Sequence, residues 1–262
     1  MKKGSFKNRK NEKIVVLVEE CPDKRGLVFI MHGLGGRKEQ PHIITMARSF
    51  YDNGYTTVRF DTTNSIGESD GKLEFATVAN YYEDLEDVIQ WAKTQKWYQE
   101  PFSLVGHSLG GFCVSFYAEN HPENVKALAP ISGVVSGELF VKAFKEKEGL
   151  EKLEQWEKRG YREWESSSTP GLIKKLNWPF ITDSLKYNLL TKAEKIKVPV
   201  IFITGENDED IPPEHQKILY DALDTKKEFH IIRGAGHTFM EDTHLAELKT
   251  ILDNWLKNIN NF

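Results

Sequence analysis

The chain has 262 residues, of which 39% are hydrophobic, and its 35 basic and 39 acidic side chains are nearly balanced and well mixed. This length and composition predict one large domain, or one domain with an insertion, and argue against a nucleic-acid groove or a polybasic membrane anchor. No run approaches the roughly 18 apolar residues of a membrane-spanning helix, and the lysine-rich start lacks the apolar segment of a signal peptide. A cytoplasmic protein without a membrane span is therefore expected, with Cys21 and Cys113 as reduced structural thiols.

The first half of the chain alternates apolar strand-like runs with amphipathic helical stretches. The predicted elements are strands at 14–19 and 27–31, a helix at 41–53, a strand at 55–60, a helix from 78 to 97, a strand from 102, a helix at 112–120 and a strand at 125–131. This alternation predicts an α/β fold with a mostly parallel sheet covered by helices on both faces.

The alternation stops between residues 133 and 190. This segment is rich in Lys and Glu, is predicted to be helical over 139–159, and contains no apolar run that predicts a strand. Its large aromatic side chains are Phe140, Phe144, Trp156, Tyr161, Trp164, Trp178, Phe180 and Tyr187. Because strands resume directly afterwards, we interpret 133–190 as a cap inserted into a core formed by residues 1–132 and 191–262.

The last third of the chain returns to the α/β pattern. A strand is predicted at 198–204, a helix from 212 to 223 and a strand at 228–232. Leucines and other apolar residues recur at helical spacing from 245 to 259, which predicts an amphipathic C-terminal helix.

Residues 106–110 read Gly-His-Ser-Leu-Gly, between a predicted strand and a predicted helix. Flanking glycines allow strand and helix to approach closely, so that Ser108 would stand at the tip of a strained turn. This is typical of a serine nucleophile. The alternative is a helix N-terminus with Ser108 near the capping position.

Four predicted strands end in polar or glycine-rich turns, and the carboxyl ends of parallel strands lie at one edge of a sheet. Three of these turns contain Ser108, Asp208 and His237. Along the chain, these residues follow the order nucleophile, acid and base, which is the order of an α/β-hydrolase triad. His237 would accept the serine proton, and Asp208 would orient and stabilise the imidazolium. Asp210 and Glu206 are local rivals of Asp208, which has the expected spacing after the strand.

The glycine-rich turn at 32–36 follows the strand at 27–31 and could also be an ordinary flexible turn. The backbone N–H groups of Leu34 and Leu109 are the natural pair of donors for an oxyanion. His32 and His107 flank the site and are expected to support it rather than to act as bases.

The motifs at 32–36, 106–111, 205–208 and 234–237 resemble those of the α/β-hydrolase superfamily of serine esterases. Residues 58–61 and 67–72 further resemble the bacterial cinnamoyl/feruloyl esterases and related serine hydrolases, although the stretch at 62–67 is one residue longer than in that group. The resemblance implies the α/β-hydrolase fold, the triad named above, and substrate contacts from the cap.

We therefore expect a carboxylic-ester hydrolase that forms an acyl-enzyme on small to medium esters with an apolar or aromatic part, without a metal or organic cofactor. A monoacylglycerol lipase or a thioesterase is the alternative among hydrolases, because one fold hosts many reactions. A non-catalytic binding protein of the same fold is the alternative of another class. The sequence leaves the oligomeric state and the natural substrate open.

Overall fold

The computed structural model describes residues 1–166, 169 and 171–259. Within this part of the chain, an eight-stranded sheet has the order β1-β2-β4-β3-β5-β6-β9-β10. Its strands are β1 (Lys2–Lys7), β2 (Lys13–Glu19), β3 (Gly26–Met31), β4 (Tyr55–Asp61), β5 (Phe102–His107), β6 (Val125–Ile131), β9 (Val200–Gly205) and β10 (Lys227–Ile232). β2 is antiparallel to β1 and β4, and the strands from β4 to β10 are parallel.

Helices cover both faces of this sheet, as the alternation predicted. The helices are α1 (Pro41–Asp52), α2 (Val78–Ala92), α3 (Leu109–Asn120), α4 (Gly137–Glu148), α5 (Leu150–Arg159), α6 (Pro179–Ser184), α7 (Pro213–Ala222) and α8 (Asp242–Ile259). Alternate residues of β3 face opposite sides: Val28 and Ile30 pack in one core with residues of α1 and α8, and Phe29 packs in the other with residues of α2 and α3.

The N-terminal strand β1 was not predicted, and the first predicted strand, at 14–19, is the second one in the structure. β1 is an exposed edge strand of lysines, glycine and serine, so it has no hydrophobic alternation to read from the sequence. Its single inward ring, Phe6, stacks on Trp91 of α2 with the ring centroids 5.2 Å apart.

The segment between β6 and β9 differs in two ways from the prediction. The predicted helix over 139–159 is two helices, α4 and α5, which are separated at Gly149 with a φ of 93°. A hairpin of two antiparallel strands, β7 (Tyr161–Glu165) and β8 (Ile173–Asn177), was missed because both strands are short, rich in charged or polar residues and without a continuous apolar run. Between these two strands, residues 167, 168 and 170 lie outside the described part of the chain.

Two further helix boundaries differ from the prediction. α2 ends at Ala92 rather than near Trp97, and α3 begins at Leu109, directly after the serine, rather than at Phe112. Cys21 and Cys113 are buried free thiols, as expected. Among the described residues, no helix combines the length and the hydropathy that crossing a bilayer requires. The cytoplasmic location stays a prediction.

Candidate active site

Ser108 lies in the sharp turn that joins β5 to α3. Its φ of 56° and ψ of −118° place a non-glycine residue in a strained conformation. Main-chain hydrogen bonds hold the turn in place. The Ser108 N–H donates to the main-chain oxygen of Ile131 at 3.0 Å, and the main-chain oxygen of Ser108 accepts from the Val134 N–H at 3.2 Å. Such strain, held by the surrounding structure, is the geometry of a nucleophile elbow.

Glycines make this turn sterically possible. A Cβ added at Gly106 would overlap the Gly110 carbonyl, and one added at Gly33 would lie 2.9 Å from the Cβ of Ser108. The strand β5, the helix α3 and the turn that follows β3 therefore meet at van der Waals distance around the serine. Only residues without a side chain allow this close approach.

Asp208 and His237 form a hydrogen-bonded pair. His237 Nδ1 lies 3.0 and 2.9 Å from the two Asp208 carboxylate oxygens. Asp208 Oδ1 also accepts from the Ile211 N–H at 2.9 Å, so the carboxylate is fixed in orientation. The sequence-based rivals are bound elsewhere: Asp210 pairs with Lys147, and Glu206 accepts from the Gly234 N–H.

The pair shifts the protonation of both partners. Burial alone would raise the pKa of Asp208, but the charge and the hydrogen bond of His237 lower it overall. Burial alone would lower the pKa of His237, but the Asp208 charge and hydrogen bond raise it above its ordinary value. The arrangement thus stabilises the imidazolium, the form that a general base becomes after it accepts a proton.

Ser108 and His237 both line a cavity of about 180 Å³. In the described part of the chain no hydrogen bond joins the Ser108 hydroxyl to the His237 ring, and hydrogen bonds between a nucleophile and its base are often long in structures without a substrate. A second, apolar cavity of about 30 Å³ also reaches Ser108, and Leu34 and Phe140 line both cavities. The serine therefore stands where a large and a small compartment meet.

The proposed oxyanion donors flank the serine. Leu109 is the first residue of α3, so its N–H has no partner within the helix. Leu34 lies in the turn after β3, and no hydrogen bond from its N–H is present within the described residues. The neighbouring Gly35 N–H donates to the Tyr81 hydroxyl at 3.1 Å, which fixes the turn from its other side.

Ligand atoms of Asp208, Asp210 and His237 lie within 4.8 Å of one another, which is close enough to share a metal ion. However, both Asp208 oxygens lie within hydrogen-bond distance of His237 Nδ1, so this carboxylate already has a partner. The donor set is therefore used by the acid–base pair.

Comparisons with known proteins agree with this fold. A family model described as alpha/beta hydrolase fold matches residues 26–145, and a model of the dienelactone hydrolase family matches residues 183–262. Est1E from Butyrivibrio proteoclasticus, solved with ferulic acid bound, superposes with a TM-score of 0.81 at 22% identity, over 99% of this chain and 100% of that one. The chain has the α/β-hydrolase fold. Its resemblance to the serine esterases of that fold is confirmed.

Three curated relatives are each less than 30% identical in sequence to this chain. An uncharacterized 31.7 kDa protein of the traX-finO intergenic region of Escherichia coli is 25% identical over 92% of this chain and 93% of its own. The palmitoyl-protein thioesterase ABHD10 of Bos taurus is 25% identical over 79% of this chain and 65% of its own length. The monoacylglycerol lipase ABHD6 of Rattus norvegicus is 21% identical over 92% of this chain and 78% of its own length. Together with the family models, these relatives support a hydrolase.

The two flanking histidines of the α/β-hydrolase core hold main-chain groups. His32 lies 2.8 Å from the Gly33 oxygen through Nδ1, and its Nε2 accepts from the Thr62 N–H at 3.1 Å. His107 Nε2 lies 2.7 Å from the main-chain oxygen of His237. Burial, followed by the His237 charge, lowers the pKa of His107 to about 3, so its ring is neutral and donates this bond.

The sequence analysis missed a third histidine. His42 of α1 is buried, and its ring centroid lies 4.3 Å from that of His107, which lies 4.7 Å from that of His237. Burial, followed by the His107 charge, lowers the pKa of His42 well below its ordinary value. A histidine on a predicted helix face carries no signal of these ring contacts, because they depend on the packing of α1 against the sheet edge.

Proposed function

We propose that this protein is a carboxylic-ester hydrolase that acts through an acyl-enzyme on Ser108. The observation that carries the proposal is the hydrogen-bonded Asp208–His237 pair, which opens on the same cavity as a serine held at a φ of 56°. A surface histidine or a helix cap would not need either feature.

In the first half of the reaction, the Ser108 oxygen attacks the ester carbonyl while His237 Nε2 takes the serine proton. The N–H groups of Leu34 and Leu109 stabilise the resulting oxyanion. When the tetrahedral intermediate collapses, the carbon–oxygen bond to the alcohol breaks, and His237 returns the proton to the departing oxygen.

In the second half, His237 removes a proton from water, and the hydroxide attacks the acyl-enzyme carbonyl. The bond to Ser108 breaks, the serine oxygen recovers the proton, and a carboxylic acid leaves. Asp208 remains ionised throughout and stabilises His237 each time its ring becomes charged.

We also propose that residues 133–190 form a cap over this site. Phe140 and Phe144 of α4 and Trp156 of α5 line the larger cavity, together with both strands of the β7–β8 hairpin. This aromatic lining and the modest cavity volume favour small to medium esters with an apolar or aromatic part, as in a feruloyl esterase.

Hydrolysis of p-nitrophenyl acetate and butyrate tests the proposal. Wild type is expected to turn over both esters and to gain the mass of a serine-directed organophosphonate at Ser108. Ser108→Ala should lose turnover and labelling, whereas the matched control Ser115→Ala, a buried serine further along α3, should keep both. A wild type that neither reacts nor labels would instead support a non-catalytic binding protein.

A thioesterase or a monoacylglycerol lipase is the second candidate, favoured by the names of two relatives. A panel of hydroxycinnamoyl esters, monoacylglycerols and acyl thioesters of increasing chain length separates the candidates. A kcat/KM that rises with chain length would contradict the aromatic-ester assignment and support this alternative.

A further inference from the structure

The β7–β8 hairpin presents one of its two faces to the larger cavity. Arg162 and Trp164 of β7 lie on this face, and the register pairs Arg162 with Leu176 and Trp164 with Lys174 of β8. All four side chains line the cavity, as expected for alternate positions of paired strands. Two cations therefore occupy diagonal positions on one face of the hairpin, on the wall of the cavity that Ser108 also lines.

The guanidinium of Arg162 is packed among aromatic rings. Its central carbon lies 4.7 Å from the ring centroid of Phe144, 5.2 Å from that of Trp156 and 4.6 Å from that of Trp164. These contacts leave the N–H groups at the edge of the guanidinium to be paired, and among the described residues no hydrogen bond or ion pair is formed by the Arg162 side chain. Burial lowers the pKa of this guanidinium.

Lys174 also has no ion pair or hydrogen bond within the described part of the chain, and burial, followed by the Arg37 charge, lowers its pKa. The next residue, Lys175, faces the other side of the hairpin and pairs with Glu74 at 2.9 Å. Lys175, which faces away from the cavity, therefore has an acidic partner, whereas Lys174, which faces the cavity, has none among the described residues.

The carboxylates of Glu148 and Asp210 on the cavity wall attract Arg162 through space, and Asp210 also attracts Lys174, but among the described residues neither forms an ion pair with these two cations. Asp210 is paired with Lys147 at 2.8 Å, and Glu148 is paired with Lys152. The third one, Glu209, is exposed. Since a partly buried cation without an anion is costly, the two free cations mark a place where an anion is expected to bind.

Trp156 adds an unpaired donor to the same wall. It is 1% exposed and lines the cavity, and its indole Nε1 has no hydrogen-bond partner among the described residues. Most buried donors in proteins are paired. An unpaired indole N–H beside two unpaired cations supports the same conclusion.

We infer that the natural substrate is an anionic ester, whose carboxylate or phosphate is bound by Arg162 and Lys174 while its ester carbonyl lies at Ser108. This inference rests on the proposed function and names its substrate class. A planar guanidinium can donate two parallel N–H bonds to such an anion, and the lysine adds a point charge.

Matched esters test the inference. On the alcohol side, 4-butyryloxybenzoate is compared with its methyl ester, and on the acyl side mono(4-nitrophenyl) adipate is compared with 4-nitrophenyl hexanoate; each pair differs by one negative charge. The measured quantity is the ratio of kcat/KM for the anionic ester to that for the neutral ester. Wild type is expected to favour the anionic member of at least one pair by tenfold or more, with the preference reduced at high ionic strength.

Variants of the two cations assign the preference to the hairpin. Arg162→Gln and Lys174→Met are each expected to lower this ratio of kcat/KM values about tenfold. Lys174→Arg, which keeps the positive charge, is expected to retain the wild-type ratio. Lys174 lies outside the ring cluster, so its variants keep the test valid if Arg162→Gln unfolds. Lys175→Met, on the opposite face of the same strand, is the matched control and should leave the ratio unchanged. Equal use of anionic and neutral esters by wild type would overturn the inference.

Calorimetry with Ser108→Ala separates this inference from the proposed function. The variant keeps the cavity but cannot form the acyl-enzyme, so it is expected to bind 4-butyryloxybenzoate or the monoadipate more tightly than the matched neutral ester. If wild type proves inert and Ser108→Ala still shows this difference, the reaction is wrong and the anion site stands. Equal affinities for both members of each pair would contradict the anion site.

Discussion

The Nε2–H of His107 donates a 2.7 Å hydrogen bond to the main-chain oxygen of His237. The residue before the proposed nucleophile thus holds the backbone of the proposed base. Because His107 is neutral and buried, this bond does not change with pH in the range where the enzyme works. It fixes the end of β5 to the loop that follows β10, although the two residues are 130 positions apart in sequence.

Loss of this bond is expected to lower activity without removing a reacting group. His107→Leu should reduce kcat about 100-fold with little change in KM, since a displacement of about 1 Å can have an effect of this size. His107→Gln, whose amide can replace the Nε2 donor, should retain most of the rate. His215→Leu, a buried histidine on α7, is the control for loss of a buried imidazole. Equal losses in the Leu and Gln variants would contradict a positioning role.

The Asp208–His237 pair predicts the pH dependence of the reaction. His237 must be neutral to accept a proton, and its pKa is raised, so kcat/KM should fall as the pH falls through a value above 6.5. Asp208→Asn removes the charge that raises this pKa, so the midpoint should move to lower pH. The maximal rate should also fall by about 10⁴-fold.

The midpoint is measured from profiles of kcat/KM against pH for wild type, Asp208→Asn and the control Glu206→Gln. Glu206 follows the same strand but accepts a hydrogen bond from the Gly234 N–H, so its variant should keep the wild-type midpoint. A midpoint that stays in place in Asp208→Asn would assign the acid to another residue.

Gly106→Ala is expected to destabilise the fold strongly. The new Cβ would overlap the Gly110 carbonyl, and backbone cannot move aside as a side chain can. A loss of about 3 kcal/mol or more in the free energy of unfolding is expected from denaturant titration. Gly4→Ala is the control, since its Cβ would lie at an ordinary 3.7 Å from Val16, and it should be close to neutral.

Tyr187 is expected to limit the acyl chain that fits the small cavity. Its ring lines this cavity and lies 5.7 Å from that of Phe112, measured between centroids. Tyr187→Ala should enlarge the cavity and move the optimum of kcat/KM in a series of 4-nitrophenyl esters to longer chains. Tyr161→Ala, outside the small cavity, should not move it. An unchanged optimum would place the acyl chain in the larger compartment.

Because of Glu119 in α3, the free energy of unfolding is expected to fall as the pH rises. It is 1% exposed, neither of its carboxylate oxygens has a partner among the described residues, and burial raises its pKa to about 8. The folded chain therefore keeps this proton where the unfolded chain has lost it, and stability decreases between the ordinary value of 4.5 and about 8.

Glu119→Gln is accordingly expected to raise the midpoint of thermal unfolding more at about pH 8 than at about pH 5. The exposed Glu123 supplies the control variant, Glu123→Gln, which should show no such difference. A gain that is the same at both pH values would mean that Glu119 is not the titrating group.

The core strands and the site could be predicted because each has a local signal. β3 and β9 are continuous apolar runs buried on both faces, and the turns after them carry the glycine-rich motifs. In contrast, β1 is stabilised by pairing with β2 rather than by apolar side chains of its own. That interaction is non-local and leaves no pattern in the sequence.

The cation face of the cap could not be predicted for a similar reason. Arg162 and Lys174 belong to short strands with many charged or polar residues and no continuous apolar run, a composition that also fits a solvated loop. Their lack of an ion pair is a property of packing: it depends on which acids the neighbouring helices place nearby and on which lysines already bind them. The position of His42 beside His107 likewise follows from the docking of α1.

The chain leaves the main sheet and re-enters it at neighbouring points. Ser132, just after β6, donates its N–H to Ile203 of β9 at 2.8 Å, and Leu128 donates to Pro199 at 3.0 Å. The intervening segment can therefore change in length or composition without altering the spacing of the strands that carry the serine, the aspartate and the histidine. Under the cap arrangement proposed above, substrate contacts can be replaced during evolution independently of the residues proposed for catalysis, because the two sets are encoded in separable stretches of one gene.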